Sequence, residues 1–106
     1  MIRLTDQEIS SITEVFSKYV QTPSTLYLYG SRTDIDALGG DIDLLLVVPD
    51  TKKKQQLLSL HLDILVDLKQ QIGEQKIDLL IKYEKELEVD PFLLSIKQQL
   101  QVICNW

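Results

Sequence analysis

The first apolar residues of the chain recur three or four positions apart, which is the spacing of a helix buried along one side. This pattern predicts a helix over residues 6–20, with Thr5 or Asp6 as its N-terminal cap. Its apolar face would be formed by Ile9, Ile12, Val15, Phe16 and Tyr19.

Three short runs of β-forming residues follow this helix. Residues 25–29, 41–48 and 76–81 predict strands, and Gly30 ends the first of them. The second strand is continuously apolar from Leu44 to Val48. Such a run is typical of a strand that is covered on both faces.

Two further segments carry helix signals. Residues 51–71 predict one long helix that stops at Gly73, and Asp90 with Pro91 predicts the start of a last helix through about Leu100. Residues 101–106 fit either a short final strand or an ordered tail. The buried stripe of the long helix would contain Leu57, Leu58, Leu62, Leu65, Val66 and Leu68.

The predicted order is helix, strand, strand, helix, strand, helix, which favours an α/β (α+β) fold with a small mixed sheet covered by helices. A length of 106 residues suits one domain, so we expect residues 1–106 to form a single domain. Cys104 is the only cysteine, and no segment resembles a signal peptide or a membrane span. We therefore expect a cytoplasmic protein that does not associate with membranes.

The net charge of −5 argues against direct binding to nucleic acid, which requires clustered lysines and arginines. The basic run at residues 52–54 is too short to change this expectation. An acidic protein can still bind a polyphosphate when a divalent cation lies between the two negative charges.

Asp41 and Asp43 stand two residues apart at the start of the apolar second strand. Residues at this spacing point to the same face of a sheet, where two carboxylates repel each other and resist burial. Hard cations such as Mg²⁺ relieve this repulsion, because they prefer oxygen ligands and bridge carboxylates to substrate phosphates. The pair therefore predicts a metal-binding site.

Asp78 is the charged residue in the middle of the third predicted strand. If that strand pairs beside the Asp41 strand, three carboxylates come together, as in the sites that hold two Mg²⁺ ions for nucleotidyl transfer. Asp78 would then also be placed to take a proton from the attacking hydroxyl. Lys82, at the end of the same strand, is interpreted as a surface lysine rather than a nucleotide ligand.

Gly30 and Ser31 provide a candidate phosphate site. A glycine directly after a strand lets the backbone approach a ligand closely, and free N–H groups at the start of a helical turn bind anions. The Ser31 hydroxyl and the Arg32 guanidinium would contact the same anion.

Together these motifs resemble a known family. Residues 30–33 and 39–44, which read GSRT and GGDIDL, are similar to the signature of the DNA polymerase beta-like nucleotidyltransferases. Within that family, they resemble the minimal nucleotidyltransferases (MNT) of prokaryotes, which consist of the catalytic domain alone. Between the two motifs, however, Asp34 and Asp36 stand in a loop that is often basic in this family.

The resemblance implies a polymerase beta-like core in which Gly30 and Ser31 hold the nucleotide phosphates. It also implies that Asp41, Asp43 and Asp78 bind Mg²⁺. Many minimal members act as antitoxins of HEPN/MNT toxin–antitoxin pairs, and some transfer AMP from ATP to a tyrosine of the HEPN protein. We therefore expect ATP as a substrate, a HEPN-domain toxin as the partner, and a homo- or hetero-oligomer.

Two alternatives remain open at this point. The chain could be a non-catalytic antitoxin that covers its toxin, since the acidic loop at Asp34 and Asp36 could block a basic site. It could instead modify a small hydroxyl compound. The apolar residues Phe92, Leu93, Leu94 and Trp106 fit either a partner surface or the core.

Overall fold

The structure is a computed structural model that describes residues 4–30, 42–73 and 75–106. Asp41, Ser31 and Arg32 lie outside the described residues, as does the predicted polar loop of residues 32–40. The described helices and strands, in chain order, are α1 Asp6–Tyr19, β1 Thr25–Tyr29, β2 Ile42–Val48, α2 Thr51–Leu58, α3 His61–Ile72, β3 Ile77–Tyr83, α4 Glu86–Val89, α5 Pro91–Ile96, a 3-10 turn at Lys97–Gln99, and β4 Gln101–Asn105.

The strands form a four-stranded sheet in the order β3-β2-β1-β4. Strand β2 is parallel to β3, whereas β1 is antiparallel to both β2 and β4. A mixed sheet with helices confirms the predicted fold class. The apolar run from Leu44 to Val48 is explained by the position of β2, which is an internal strand with both faces covered.

The two faces of the sheet carry different cores. Helices α1, α2 and α3 pack on one face, where alternate residues of β2, namely Ile42, Leu44 and Leu46, are fully buried. On the other face, Leu45 and Val47 pack against the short helix α5. A helix of six residues is only about 9 Å long, so it covers a small part of this second face.

Helix α1 begins as predicted. The Thr5 hydroxyl accepts a hydrogen bond from the Glu8 amide, and the Glu8 carboxylate accepts one from the Thr5 amide, both at 3.0 Å. This reciprocal pair is a capping box, which satisfies two amides that the helix itself leaves without partners.

The prediction of one long helix over residues 51–71 is wrong, because the chain forms α2 and α3 with a break at Ser59 and Leu60. The Ser59 hydroxyl donates to the Gln56 carbonyl at 2.6 Å, and the Leu60 amide bonds to the Leu57 carbonyl at 3.0 Å. A side chain thus replaces the backbone partner that would have continued the helix.

The break also changes which residues are buried. Leu57 and Leu68 are buried as predicted, together with Ile64, which the predicted stripe did not contain. Three members of that stripe are instead exposed to solvent: Leu58 at 45%, Leu62 at 71% and Val66 at 47%.

The C-terminal region contains two elements that were not predicted, the short helix α4 and the 3-10 turn at Lys97–Gln99. The Asp90 carboxylate caps α5 by accepting from the Phe92 amide at 2.9 Å, as the sequence indicated. Helix α5 ends at Ile96 rather than near Leu100. Residues 101–105 form an edge strand, which decides between strand and tail.

None of the helices in the described ranges is long and apolar enough to cross a membrane. The extent of the domain over residues 1–106 stays a prediction.

Replacing Leu57 by Ala should lower the free energy of unfolding by about 2–5 kcal/mol, since Leu57 is 3% exposed and its loss leaves a cavity. Leu58→Ala is the matched control, and it should change stability by no more than about 0.5 kcal/mol. Urea denaturation followed by circular dichroism measures both. Equal losses would contradict the burial of Leu57 and the exposure of Leu58.

Candidate active site

Three residues from different strands meet at one end of the sheet. In the parallel pair, Asp43 lies opposite Asp78, and in the antiparallel pair Asp43 lies opposite Tyr29. Register partners share a face, and neighbouring strands are about 4.8 Å apart. The two carboxylates and the tyrosine ring therefore lie side by side on the face that α5 only partly covers. This confirms the predicted pairing of the Asp78 strand with the Asp43 strand.

The carboxylates differ in exposure, because Asp43 is half-buried and Asp78 is exposed. Two oxygen-bearing groups on adjacent strands suit a hard divalent cation, which would offset their mutual repulsion. Within the described part of the chain, no three His, Cys, Asp or Glu side chains form a metal-binding group. The predicted third ligand, Asp41, lies outside that part.

Gly30 directly follows β1 and brings the backbone against Asp43. Its φ of 77° is in the left-handed region, which residues other than glycine rarely adopt. A Cβ added to Gly30 would collide with the Asp43 carboxylate and lie 3.3 Å from its Cγ. The position therefore needs glycine for two reasons, conformation and space. The predicted phosphate contacts of Gly30, Ser31 and Arg32 stay predictions.

Sequence reasoning missed Tyr29 as a member of this site. Its side chain is 8% exposed. Burial is the main cause that raises the pKa of Tyr29 to about 12, and the charges of Asp43 and Asp78 raise it further. Its hydroxyl is therefore protonated at neutral pH. The sequence did contain a signal for Tyr29, because it is the last residue of the predicted strand and directly precedes Gly30.

A cavity of about 420 Å³ lies along β3 beside Asp78 and is also lined by residues of α3 and α5. Its walls include Leu65, Leu80 and Phe92, and the Phe92 ring meets the Tyr29 ring edge to face with centroids 6.1 Å apart. A larger cavity of about 510 Å³ lies elsewhere on the sheet and contains neither Asp43 nor Asp78.

Lys82 also lines the cavity beside Asp78, but it is held by carboxylates. Its Nζ is 3.4 Å from Asp90 and 3.8 Å from Glu86, and Glu86 in turn contacts Lys54 at 2.6 Å. Burial alone would raise the pKa of Glu86, but hydrogen bonds from Lys54 and the Tyr83 amide, with the charges of both lysines, lower it on balance. The network joins α2, α4 and β3.

His61 borders the same cavity from α3. Its Nε2 lies 3.0 Å from the Leu79 carbonyl, so the ring donates a hydrogen bond to the outer edge of β3. This contact ties α3 to the strand that carries Asp78.

Gly30→Ala and Gly73→Ala separate backbone strain from crowding at the site. Both glycines have positive φ, so each substitution should cost about 1–3 kcal/mol of unfolding free energy. Gly30→Ala should cost about 1–3 kcal/mol more, because the Asp43 carboxylate must move, whereas a Cβ at Gly73 meets no atom within 4 Å. Urea denaturation tests this, and equal losses would contradict the close approach.

The ionisation of Tyr29 reports on its carboxylate neighbours. In ¹³Cζ tyrosine NMR spectra, Tyr29 should titrate near its raised pKa of about 12, and Asp43→Asn should lower that pKa but not to 10.0, since burial persists. Because the unfolded chain loses this proton near pH 10, the unfolding free energy should fall as pH rises from about 10 to about 12.

Tyr19 serves as the internal control for that titration. A hydrogen bond to Asp67 is the main cause that raises the pKa of Tyr19 to about 12. Asp43→Asn should leave this value unchanged. An equal shift of both tyrosines, or none at Tyr29, would contradict the placement of Asp43.

The comparison with known proteins agrees with this geometry. No curated protein matches the chain. A family model described as "Nucleotidyltransferase domain" matches residues 9–102, which include β1, β2 and β3 with all the described candidate residues. With this match over most of its length, the chain belongs to the nucleotidyltransferase domain family.

Proposed function

We propose that this chain is a Mg²⁺-dependent nucleotidyltransferase that transfers AMP from ATP to a tyrosine hydroxyl of a HEPN-domain partner, and thereby acts as its antitoxin. Family membership supports nucleotidyl transfer in general. The observation that carries the proposal is the pairing of Asp43 with Asp78 beside the Gly30 turn. The tyrosine acceptor, the HEPN partner and the antitoxin role rest on the resemblance to minimal nucleotidyltransferases.

The residues divide the reaction between them. The turn at Gly30, with Ser31 and Arg32, holds the triphosphate, and the Asp43 carboxylate faces the α-phosphorus. The acceptor oxygen bonds to the α-phosphorus while the bond from that phosphorus to the bridging oxygen breaks, and pyrophosphate leaves. The proton of the acceptor hydroxyl passes to Asp78.

The carboxylates Asp41, Asp43 and Asp78 would hold Mg²⁺ in this site. Nucleotidyltransferase domains generally use a nucleoside triphosphate and a divalent metal. When bound, the metal supplies positive charge that offsets the phosphates and lowers the pKa of the acceptor hydroxyl. Asp43 and Asp78 fit this role because their oxygens lie on adjacent strands of one face.

Intact-mass spectrometry of a HEPN-domain protein encoded beside this chain, after incubation with the chain, ATP and Mg²⁺, tests the proposal. The partner should gain one or more adenylyl units on tyrosine. EDTA should prevent the gain, and Asp43→Asn or Asp78→Asn should slow it by more than about 100-fold. Loss of a group that only hydrogen-bonds to a metal ligand already lowers metal affinity or activity about 10- to 100-fold, and loss of a ligand should cost more.

Asp63→Asn is the matched control, because Asp63 is an exposed aspartate of α3 that does not line the cavity beside Asp78. This variant should transfer AMP at the normal rate. No mass gain together with a stable complex would replace the proposal with a non-catalytic antitoxin. Equal loss in all three variants would show that Asp43 and Asp78 have no special role.

A further inference from the structure

The described parts of the site are arranged in a row across the sheet. Gly30 follows β1, Asp43 is on β2, and Asp78 is on β3, with the 420 Å³ cavity beside it. Strand β3 is at the edge of the described sheet, so the cavity can be reached from solvent without crossing the Gly30 turn.

The inference rests on the proposed function. If that function is correct, the leaving group and the acceptor must lie at opposite ends of this row. In phosphoryl and nucleotidyl transfer, the attacking and leaving oxygens lie roughly in line on opposite sides of the phosphorus. A triphosphate held at the Gly30 turn places the leaving pyrophosphate on the β1 side. The acceptor must then enter from the β3 side, which is where the cavity lies.

The chemistry of the cavity limits what can enter. On the face of the sheet that carries Asp78, its walls include the apolar side chains of Leu80 and Phe92. The polar groups farther along, Lys82 and Asp90, are paired with each other. Asp78 is the exposed carboxylate of the cavity beside these apolar walls, and it can accept a hydrogen bond from an entering hydroxyl.

Phe92 is a large apolar side chain that is half exposed, and it is not the residue that anchors α5 to the sheet. Its side chain is 47% exposed, while its neighbour Leu93 on α5 is 1% exposed and anchors the helix to the sheet. The Phe92 and Tyr29 rings meet at an interplanar angle of 77°, and Phe92 also lines the cavity. Aromatic pairs add binding free energy beyond their buried area, so this ring is suited to contact another ring.

We propose that the cavity beside Asp78 is the acceptor pocket, and that Phe92 is the residue that selects a planar aromatic hydroxyl group. The acceptor ring packs against Phe92 and Leu80, and its hydroxyl donates a hydrogen bond to Asp78. A polyhydroxyl compound is disfavoured, because its further hydroxyls would lose water against apolar walls without gaining partners. The pocket thereby prefers tyrosine-like acceptors to sugars and to serine.

Binding of small probes tests the pocket without the reaction. In ¹H–¹⁵N NMR titrations with no nucleotide or metal, N-acetyl-L-tyrosinamide should shift the amides of β3 and α5 around Asp78 and Phe92. N-acetyl-L-serinamide should not. Phe92→Ala should weaken the tyrosinamide affinity roughly 3- to 10-fold or more, and Phe92→Tyr, which keeps a ring, should restore it.

Leu94→Ala is the matched control, because Leu94 lies on the same helix, is 48% exposed and does not line the cavity. It should leave the tyrosinamide affinity unchanged. Equal weakening in Phe92→Ala and Leu94→Ala, equal binding of the serinamide, or shifts confined to other surfaces would overturn the inference. Adenosine occupying the cavity in preference to tyrosinamide would also overturn it, by assigning the pocket to the base of the nucleotide.

The result can be separated from the fate of the proposed function. Where transfer occurs, Phe92→Ala should raise the KM for the acceptor and leave the KM for ATP unchanged, and a rise in both would contradict a selective role. If no acceptor is modified but tyrosinamide still binds at Phe92, the pocket stands and the transfer proposal falls. If a protein is modified and tyrosinamide does not bind at Phe92, the pocket falls alone.

Discussion

The parallel pairing of β2 with β3 is the constraint on which the rest of the site depends. It places Asp43 opposite Asp78 and, at every second residue, aligns the apolar side chains that fill the core beneath them. A slip of one residue would turn Leu44 outward and force Asp43 into the apolar side of the sheet. Burial of β2 therefore keeps the two carboxylates next to each other despite their repulsion. Five consecutive residues of this strand, 44–48, are no more than 5% exposed.

Among the described residues, the helices cover one side of the sheet only partly, and the Asp43–Asp78 pair lies on that side. Three helices shield the first face, whereas on the second face α5 covers Leu45 and Val47 but leaves Asp78 exposed. The Asp90 cap fixes where α5 begins, and the pairing of Asp90 with Lys82 ties that beginning to β3. A few short-range contacts thus decide both the position of Phe92 and the space beside Asp78.

Much of this arrangement could be predicted from the sequence, because its causes are local. The spacing of apolar residues gives the strands and α1, Gly73 ends α3, and Asp90 caps α5. The break at Ser59 could not be predicted, since it depends on which of two hydrogen bonds the Gln56 carbonyl accepts. Tyr29 and the cavity at Phe92 were also missed, because they arise from strand register and helix docking. The roles of Asp41, Ser31 and Arg32 remain predictions from their motif alone.

The central claim is that Asp43 and Asp78 act together on one metal-bound nucleotide. A crystal structure of the chain with Mg²⁺ and a non-hydrolysable ATP analogue tests it most directly. The account predicts Mg²⁺ within about 2.1 Å of an oxygen of each carboxylate, with the phosphates extending toward the turn at Gly30. An analogue bound away from β2 and β3, or a nucleotide at the site with no cation at either carboxylate, would contradict it.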